Sequence, residues 1–235
     1  MKQKRQKYNI NKLKGQGMVE TLITIPVLLF IGAALVQLYF IWEAKLTLNQ
    51  AVLMAARAGA VSNIDIGQMN NALAKGLMPL QAPDLNSPVT PADTAYFNAF
   101  TESQNLVLAN SLLRIANPTV EAFADFGIAA AIPNDHLQAR ATQAGALSGV
   151  NIQDANLLRI QVAYGIDLNV PFVGAFILGI VNLATDENAW HRAVTLDQGF
   201  FPIQAVATVR MQSEPRLTPD NQPFFMTRQD VQDAI

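Results

Sequence analysis

The 235-residue chain contains no cysteine. That absence removes disulfide scaffolds, thiolate metal sites and cysteine nucleophiles together. Charge is scarce as well, at 14% of residues against roughly 25% in an ordinary soluble domain. There are two histidines, His136 and His191. Neither has a second ligand at metal-binding spacing, and no H-E-x-x-H occurs. Asp135-His136 is an adjacent pair of loop character, which reads as a surface dipeptide rather than a base with its orienter. A Walker A loop, a G-x-G-x-x-G turn and a G-x-S-x-G elbow are all missing. The aspartates are scattered and read as solvated acids. With no convergent chemistry, the sequence predicts a protein that is not an enzyme and takes no cofactor and no metal. Hydrophobic residues make up 51% of the chain, which excludes disorder along its whole length. Internal repeats are absent.

What the chain does have is a polarised beginning. Six of its 16 basic residues fall within the first 14: Lys2, Lys4, Arg5, Lys7, Lys12 and Lys14. The remainder keeps ten basic against 18 acidic residues, a net charge of −8. A folded part of that sign is a poor nucleic-acid binder, so no nucleic-acid partner is expected. The basic head leads instead into Thr21–Trp42, 22 residues without one acid or base. About 20 apolar residues in a helix cross a bilayer core of about 30 Å, and unpaired backbone amides in lipid force the helical form. Tyr39 and Trp42 stand at the distal end, where interfacial aromatics belong. The cation-rich head predicts a cytoplasmic N-terminus with the bulk of the chain outside. A cleaved secretory signal fits poorly, because its apolar region runs about 7–15 residues and ends close to a small-x-small site.

Helical character continues past the membrane. Glu43–Ala60 has no proline, and its first glycine is Gly59. A helix from Glu20 to Ala60 would extend roughly 60 Å, enough for a span and a stalk. Ala51, Ala55 and Gly59 recur four residues apart, and small residues at that spacing admit the close approach of another helix. Two readings fit them: the close approach of another helix, or helix-favouring alanines covered by the chain's own domain.

The junction between head and span reads Lys14-Gly15-Gln16-Gly17-Met18-Val19-Glu20. It resembles a type IV prepilin processing site: a short basic leader, a Gly, and a Glu five residues beyond it at the start of the apolar run. Glycine would keep the scissile peptide open and non-helical, and Glu20 would suit the first turn of the helix that follows. The whole stretch from Gly15 to Ala60, with Val19-Glu20, Pro26 and Ala55-Ala56-Arg57-Ala58-Gly59-Ala60, is similar to the N-terminal signature of the TadE-like pilus-assembly family. These are pseudopilins, or minor pilins, of the tight-adherence, Flp-type IV pilus system. GLMPL (76–80), NPTVEAF (117–123) and VRMQS (209–213) also resemble its longer members. The resemblance implies cleavage by prepilin peptidase between Gly15 and Gln16. It implies anchoring in the bacterial inner membrane, and a Glu20 carboxylate that sets axial register against the free amine of a neighbouring subunit. It implies as partners a second pseudopilin, the major Flp pilin and the platform proteins. Gln16 stands where major type IV pilins commonly have Phe or Met, which points away from a major pilin. The alternative is an uncleaved bitopic inner-membrane scaffold or receptor of a secretion complex, which leaves the Gly15-to-Glu20 spacing as coincidence.

Beyond Ala60 the pattern predicts an α+β fold. The expected division is a leader at 1–15, a transmembrane and stalk helix at 16–60, a helical periplasmic region at 61–156 and a β-containing region at 157–235. A short helix is expected over 65–75 with Gly76 just past its end, then a proline-rich linker over 79–91. Thr90-Pro91-Ala92-Asp93 signals a helix start. That helix should run to Ala116, with Phe97, Leu106, Leu108, Leu112, Leu113 and Ile115 as its apolar surface. Glu121–Phe126 adds a turn of helix. Leu157–Tyr164 and Ala205–Gln212 alternate with period two and predict an antiparallel pair of strands, with 165–204 as an excursion between them. Inside that excursion Val170–Val181 is an uncharged apolar run, too short to span a bilayer as a helix. It fits a buried core helix or hairpin, or an exposed apolar tongue that rests on the outer leaflet or docks a partner. The tail from Glu214 is expected to be loosely ordered, apart from a short helix at its end.

Overall fold

The computed structural model describes residues 13–81 and 92–233. The basic head up to Lys12 and the proline-rich stretch 82–91, with its Thr90-Pro91 helix start, lie outside the described residues. The elements in chain order are helices α1 (Leu13–Val61), α2 (Ile66–Leu77) and α3 (Ala92–Asn110), strand β1 (Ser111–Asn117), and helices α4 (Val120–Phe126) and α5 (Ile152–Ala155). Strand β2 (Leu157–Ile166), helix α6 (Val173–Ala184), strand β3 (Phe201–Arg210) and helix α7 (Arg228–Asp233) follow. The fold is α+β: a long apolar N-terminal helix, further helices, and a small antiparallel sheet in the order β1-β2-β3.

The strand pair expected around the excursion is present, with Ile160 opposite Ala207 and Val162 opposite Ala205. Period two puts Leu158, Ile160, Val162 and Tyr164 on one face of β2, and all four are buried. Their partners Ile203, Ala205 and Ala207 on β3 are buried with them, while Gln204, Val206 and Thr208 face out. This face shares one core with Leu48, Ala51, Val52, Ala55 and Ala56 of α1. The sheet therefore wraps the second half of the long helix.

The third strand departs from expectation. Leu112, Leu113 and Ile115 were expected on a helix that ran to Ala116, but the helix ends at Asn110 and Ser111–Asn117 pairs with β2. Leu113 lies opposite Val162 and Ile115 opposite Ile160. The leucine-rich stretch carries both a helical and an alternating pattern, and the exposed edge of β2 decides between them, because its backbone groups need partners. Phe97 and Leu108 are exposed, so the expected apolar face of α3 is also corrected. The buried face of α3 is the small-residue row Ala95, Ala99, Ser103 and Val107. Ser103 Oγ donates to Ala74 O of α2 at 2.6 Å.

The tail from Glu214 is better held than its prolines suggest. Phe225 and Met226 are buried, Met226 N donates to Ile115 O at 2.9 Å, and the Phe225 ring meets Phe123 edge-on at 5.2 Å. Asn221 Nδ2 donates to Ile64 O at 3.1 Å and so ties the tail to the turn after α1. The expected helices at 121–126 and at the chain's end correspond to α4 and α7.

Candidate membrane and assembly surface of the N-terminal helix

The functional elements singled out by the sequence all lie on α1. Gly15 and Gln16 are inside the helix, which begins at Leu13. The peptide between them is thus helical in the full-length chain, where an open conformation was expected. Glu20 is exposed and stands well past the first turn, which holds no acid. In this structure Glu20 is therefore not at a helix start, where it was expected. The carbonyl of Glu20 accepts a hydrogen bond from Thr24 Oγ1 at 2.7 Å, so that hydroxyl is satisfied within the helix. Pro26 is accommodated inside the helix, although it has no N–H to offer the carbonyl four residues back.

The helix has two halves with different surroundings. From Met18 to Glu43 almost every side chain is bare, including Leu22, Ile23, Leu28, Leu29 and Trp42. Only Gln37 is buried there. From Ala44 onward the inward positions are fully covered by the domain. The change falls at Trp42–Lys45, where the uncharged run ends. Lys45 Nζ donates to Gln204 O and fastens the helix to β3 at that level. Among the described residues this is the one helix long and apolar enough to cross a membrane, and its span-length window is wholly unburied. It points to a single-pass membrane protein.

Ala51, Ala55 and Gly59 are buried, and the chain's own domain covers them. Helix α2 folds back on α1 through a tight turn. In that turn Ile64 N donates to Gly59 O at 3.0 Å and Asp65 caps α2 by accepting from Gln68 N at 2.9 Å. Where α2 crosses Ala51 it presents Gly76, at which a Cβ would lie 2.5 Å from Ala51 Cα. Gly76 was expected just past the helix. It lies inside the helix, at the point where the contact with Ala51 leaves no room for a side chain. At the other end, a Cβ on Gly59 would meet Met69 Sδ at 2.7 Å. In this structure the stripe is covered within the chain, by the close approach of α2.

Two features of this surface were not found from sequence. Gln37, in the middle of the apolar run, is 1% exposed, and its Oε1 accepts from Val170 N at 2.9 Å. The Phe30 ring meets the ring of Phe176 in α6 edge-on at 5.7 Å. The lone amide in an uncharged run was a signal that a partner exists, but not which one.

Away from α1 the polar groups form structural ties. Asp135 pairs with Arg140 at 2.5 Å, and the Arg140 hydrogen bond holds its carboxyl below the ordinary value. Burial pushes the Asp125 carboxyl up, but hydrogen bonds from the Ser148 and Leu147 backbone and from Ser148 Oγ outweigh it and bring the value down. His191 is buried with Nδ1 3.2 Å from Thr195 Oγ1. Desolvation, with Arg114 and Arg192 nearby, lowers its pKa. Arg114 itself lies over the Trp190 ring at 4.3 Å. Among the described residues no group of three or more His, Asp or Glu side chains is placed to hold a metal.

The family model described as TadE-like protein matches residues 15–57. The match begins at Gly15 and takes in Glu20, the whole apolar run and the first two residues of the small-residue stripe. No curated protein and no solved structure matches the chain. The chain thus carries a TadE-like N-terminal segment, which agrees with the resemblance read from the same residues. Together with the bare half of α1, it points to membrane association and to a pilus-related role.

Proposed function

We propose that the chain is a pseudopilin, or minor pilin, that takes part in assembly of a Flp-type IV pilus. The observation that carries this reading is the division of α1. Its first half is bare, apolar and preceded by the Gly15-to-Glu20 junction, and its second half is clothed by an α+β domain. A bare apolar helix must be covered by lipid or by other apolar helices, and a pilus assembly intermediate meets both in turn.

In this account prepilin peptidase cuts between Gly15 and Gln16 on the cytoplasmic face. Residues 21–42 then hold the product in the inner membrane, with the domain in the periplasm. Cleavage makes Glu20 the fifth residue of the new chain and brings it to the start of the helix. A carboxylate at the edge of hydrocarbon needs a partner, and the free amine of an adjacent subunit supplies one. Partners are a second pseudopilin, the major Flp pilin and the platform proteins. The role is structural and uses no cofactor. Support for each step comes from the TadE-like match, the spacing and the exposure of α1.

The test is genetic and direct. Cells that make this pilus and lack the chain are expected to show few or no surface pili, and the full-length chain should restore them. Gly15→Asp, which blocks a glycine-dependent cut, should fail to restore them while still reaching the membrane. Normal piliation without the chain would sink the proposal. Full rescue by Gly15→Asp would favour instead the uncleaved bitopic scaffold, in keeping with a helix that runs unbroken through Gly15.

A further inference from the structure

Helix α6 is the apolar run of the excursion, and it is not a core helix. Only Val173 and Gly174 are buried in it. Phe172 at its cap is 85% exposed, Phe176 57%, Ile180 54% and Leu183 93%. These four recur at helical spacing on one side of the helix. Such a row of large apolar side chains is too extensive to be left in water. Other exposed apolar residues of the domain, such as Leu108 and Ile128, lie on separate elements.

The position of α6 tells what covers that face. Its N-terminal end is joined to α1 within the uncharged run, by Val170 N on Gln37 Oε1 and by Phe176 on Phe30. Phe30 precedes Trp42 by 12 residues, about 18 Å along the helix axis. With Trp42 at the interface, that is close to the middle of a hydrocarbon core of about 30 Å. The other end of α6 is held by the domain: Arg192 donates to Asn182 Oδ1 and pairs with Asp197 at 3.1 Å. Its neighbour Trp190 lies against Arg114 of β1. The helix is therefore anchored at bilayer depth at one end and at the domain at the other.

Part of the backbone at its two ends is satisfied from within. An amide or carbonyl exposed in hydrocarbon is costly, so both ends of an inserted helix need internal partners. Val170 N has Gln37, Gly174 N donates to Val170 O at 3.0 Å, and Phe176 N donates to Phe172 O at 3.1 Å. At the far end Thr185 N and Thr185 Oγ1 both donate to Val181 O, at 2.9 and 2.7 Å. Asp167 on one side, and Asp186 and Glu187 on the other, mark where the chain returns to water.

We propose that residues 170–184 are a membrane-inserted wedge, with Phe172, Phe176, Ile180 and Leu183 among the acyl chains of the leaflet on the domain's side, next to α1. The wedge holds the domain down on the membrane surface and fixes the rotation of α1 about its axis. Gln37 is its positioning residue. The inference rests on α1 being the membrane span, and its test separates the two.

The chain's lack of cysteine makes single-site labelling simple. The full-length protein carrying Ile180→Cys or Leu183→Cys is labelled with an environment-sensitive fluorophore and reconstituted in vesicles of phosphatidylethanolamine and phosphatidylglycerol. Leu29→Cys on the bare half of α1 and Leu108→Cys on α3 serve as references. Labels at 180 and 183 should match the label at 29: a several-fold loss of emission with acyl-chain spin-labelled lipid, and little loss with aqueous iodide. The label at 108 should do the reverse. Iodide quenching at 180 and 183, with lipid quenching kept at 29, would remove the wedge and leave the span. Iodide quenching at 29 as well would remove the span, and the wedge with it. Shielding of 180 and 183 from both quenchers that disappears when the protein is diluted in lipid would assign the face to a second copy and overturn the proposal.

Discussion

Two side chains carry consequences that a point substitution can expose. Glu20→Ala should leave cleavage largely intact and impair assembly if, as proposed, the carboxylate acts after processing on the amine of a neighbouring subunit. Immunoblots for the cleaved form and counts of surface pili separate the two steps, and wild-type piliation in the variant would count against the register role. His191 gives a pH signature. Its pKa lies below the ordinary value of about 6.5, first through burial and then through Arg114 and Arg192. Above the ordinary value both the folded and the unfolded chain keep the imidazole neutral, and its contribution to stability is intact. As pH falls through 6.5, the unfolded chain takes up a proton that the folded chain resists, and stability drops until the folded pKa is passed. Thermal unfolding in detergent should therefore weaken from about pH 7.5 to about pH 5.5, and His191→Gln should flatten that part of the profile. An unchanged slope in the variant would assign the effect to other groups.

At the scale of elements, the α1–α2 hairpin packs closely and gives a prediction of definite sign. A Gly→Ala change inside an unhindered helix stabilises by up to about 1 kcal/mol. At Gly76 the new Cβ would press on the Ala51 backbone, so Gly76→Ala should destabilise the domain by about 1–3 kcal/mol. Gly179→Ala in α6, where nothing lies within 4 Å, should be neutral or stabilising. Denaturation of the two variants side by side checks this, and a stabilised Gly76→Ala protein would contradict the packing. The hairpin also shows what sequence can and cannot tell. The small residues of α1 left two readings open, the close approach of another helix or plain cover by the chain's own domain, because residue size sets how near a neighbour can come and not what that neighbour is. The strands β2 and β3 were legible because their larger apolar residues alternate with polar or small ones, although Ala163 on the other face of β2 is buried too. Strand β1 was not, because its leucines and isoleucine fit two periods and only the edge of β2 resolves them. The tail was misread for a related reason: its prolines suggest looseness, while Phe225 and Met226 are held by a core made elsewhere in the chain.

The molecule as a whole is a helix of two environments with a domain wrapped on one of them. The uncharged run and the basic head before it made the membrane half plain from the sequence, and the structure adds the sharp change of cover at Trp42–Lys45. The processing junction was equally plain as a pattern, and the helix runs unbroken through Gly15. Under the proposed processing, the peptidase would have to unwind a turn there or meet the chain before the helix forms. The mature N-terminus is accordingly the most direct measure of the account. The full-length chain is made in bacterial membranes with and without a prepilin peptidase, and its terminal peptide is read by mass spectrometry. The account predicts a peptidase-dependent terminus at Gln16. An intact Met1 under both conditions would contradict it and leave an uncleaved bitopic protein whose Glu20 needs another explanation.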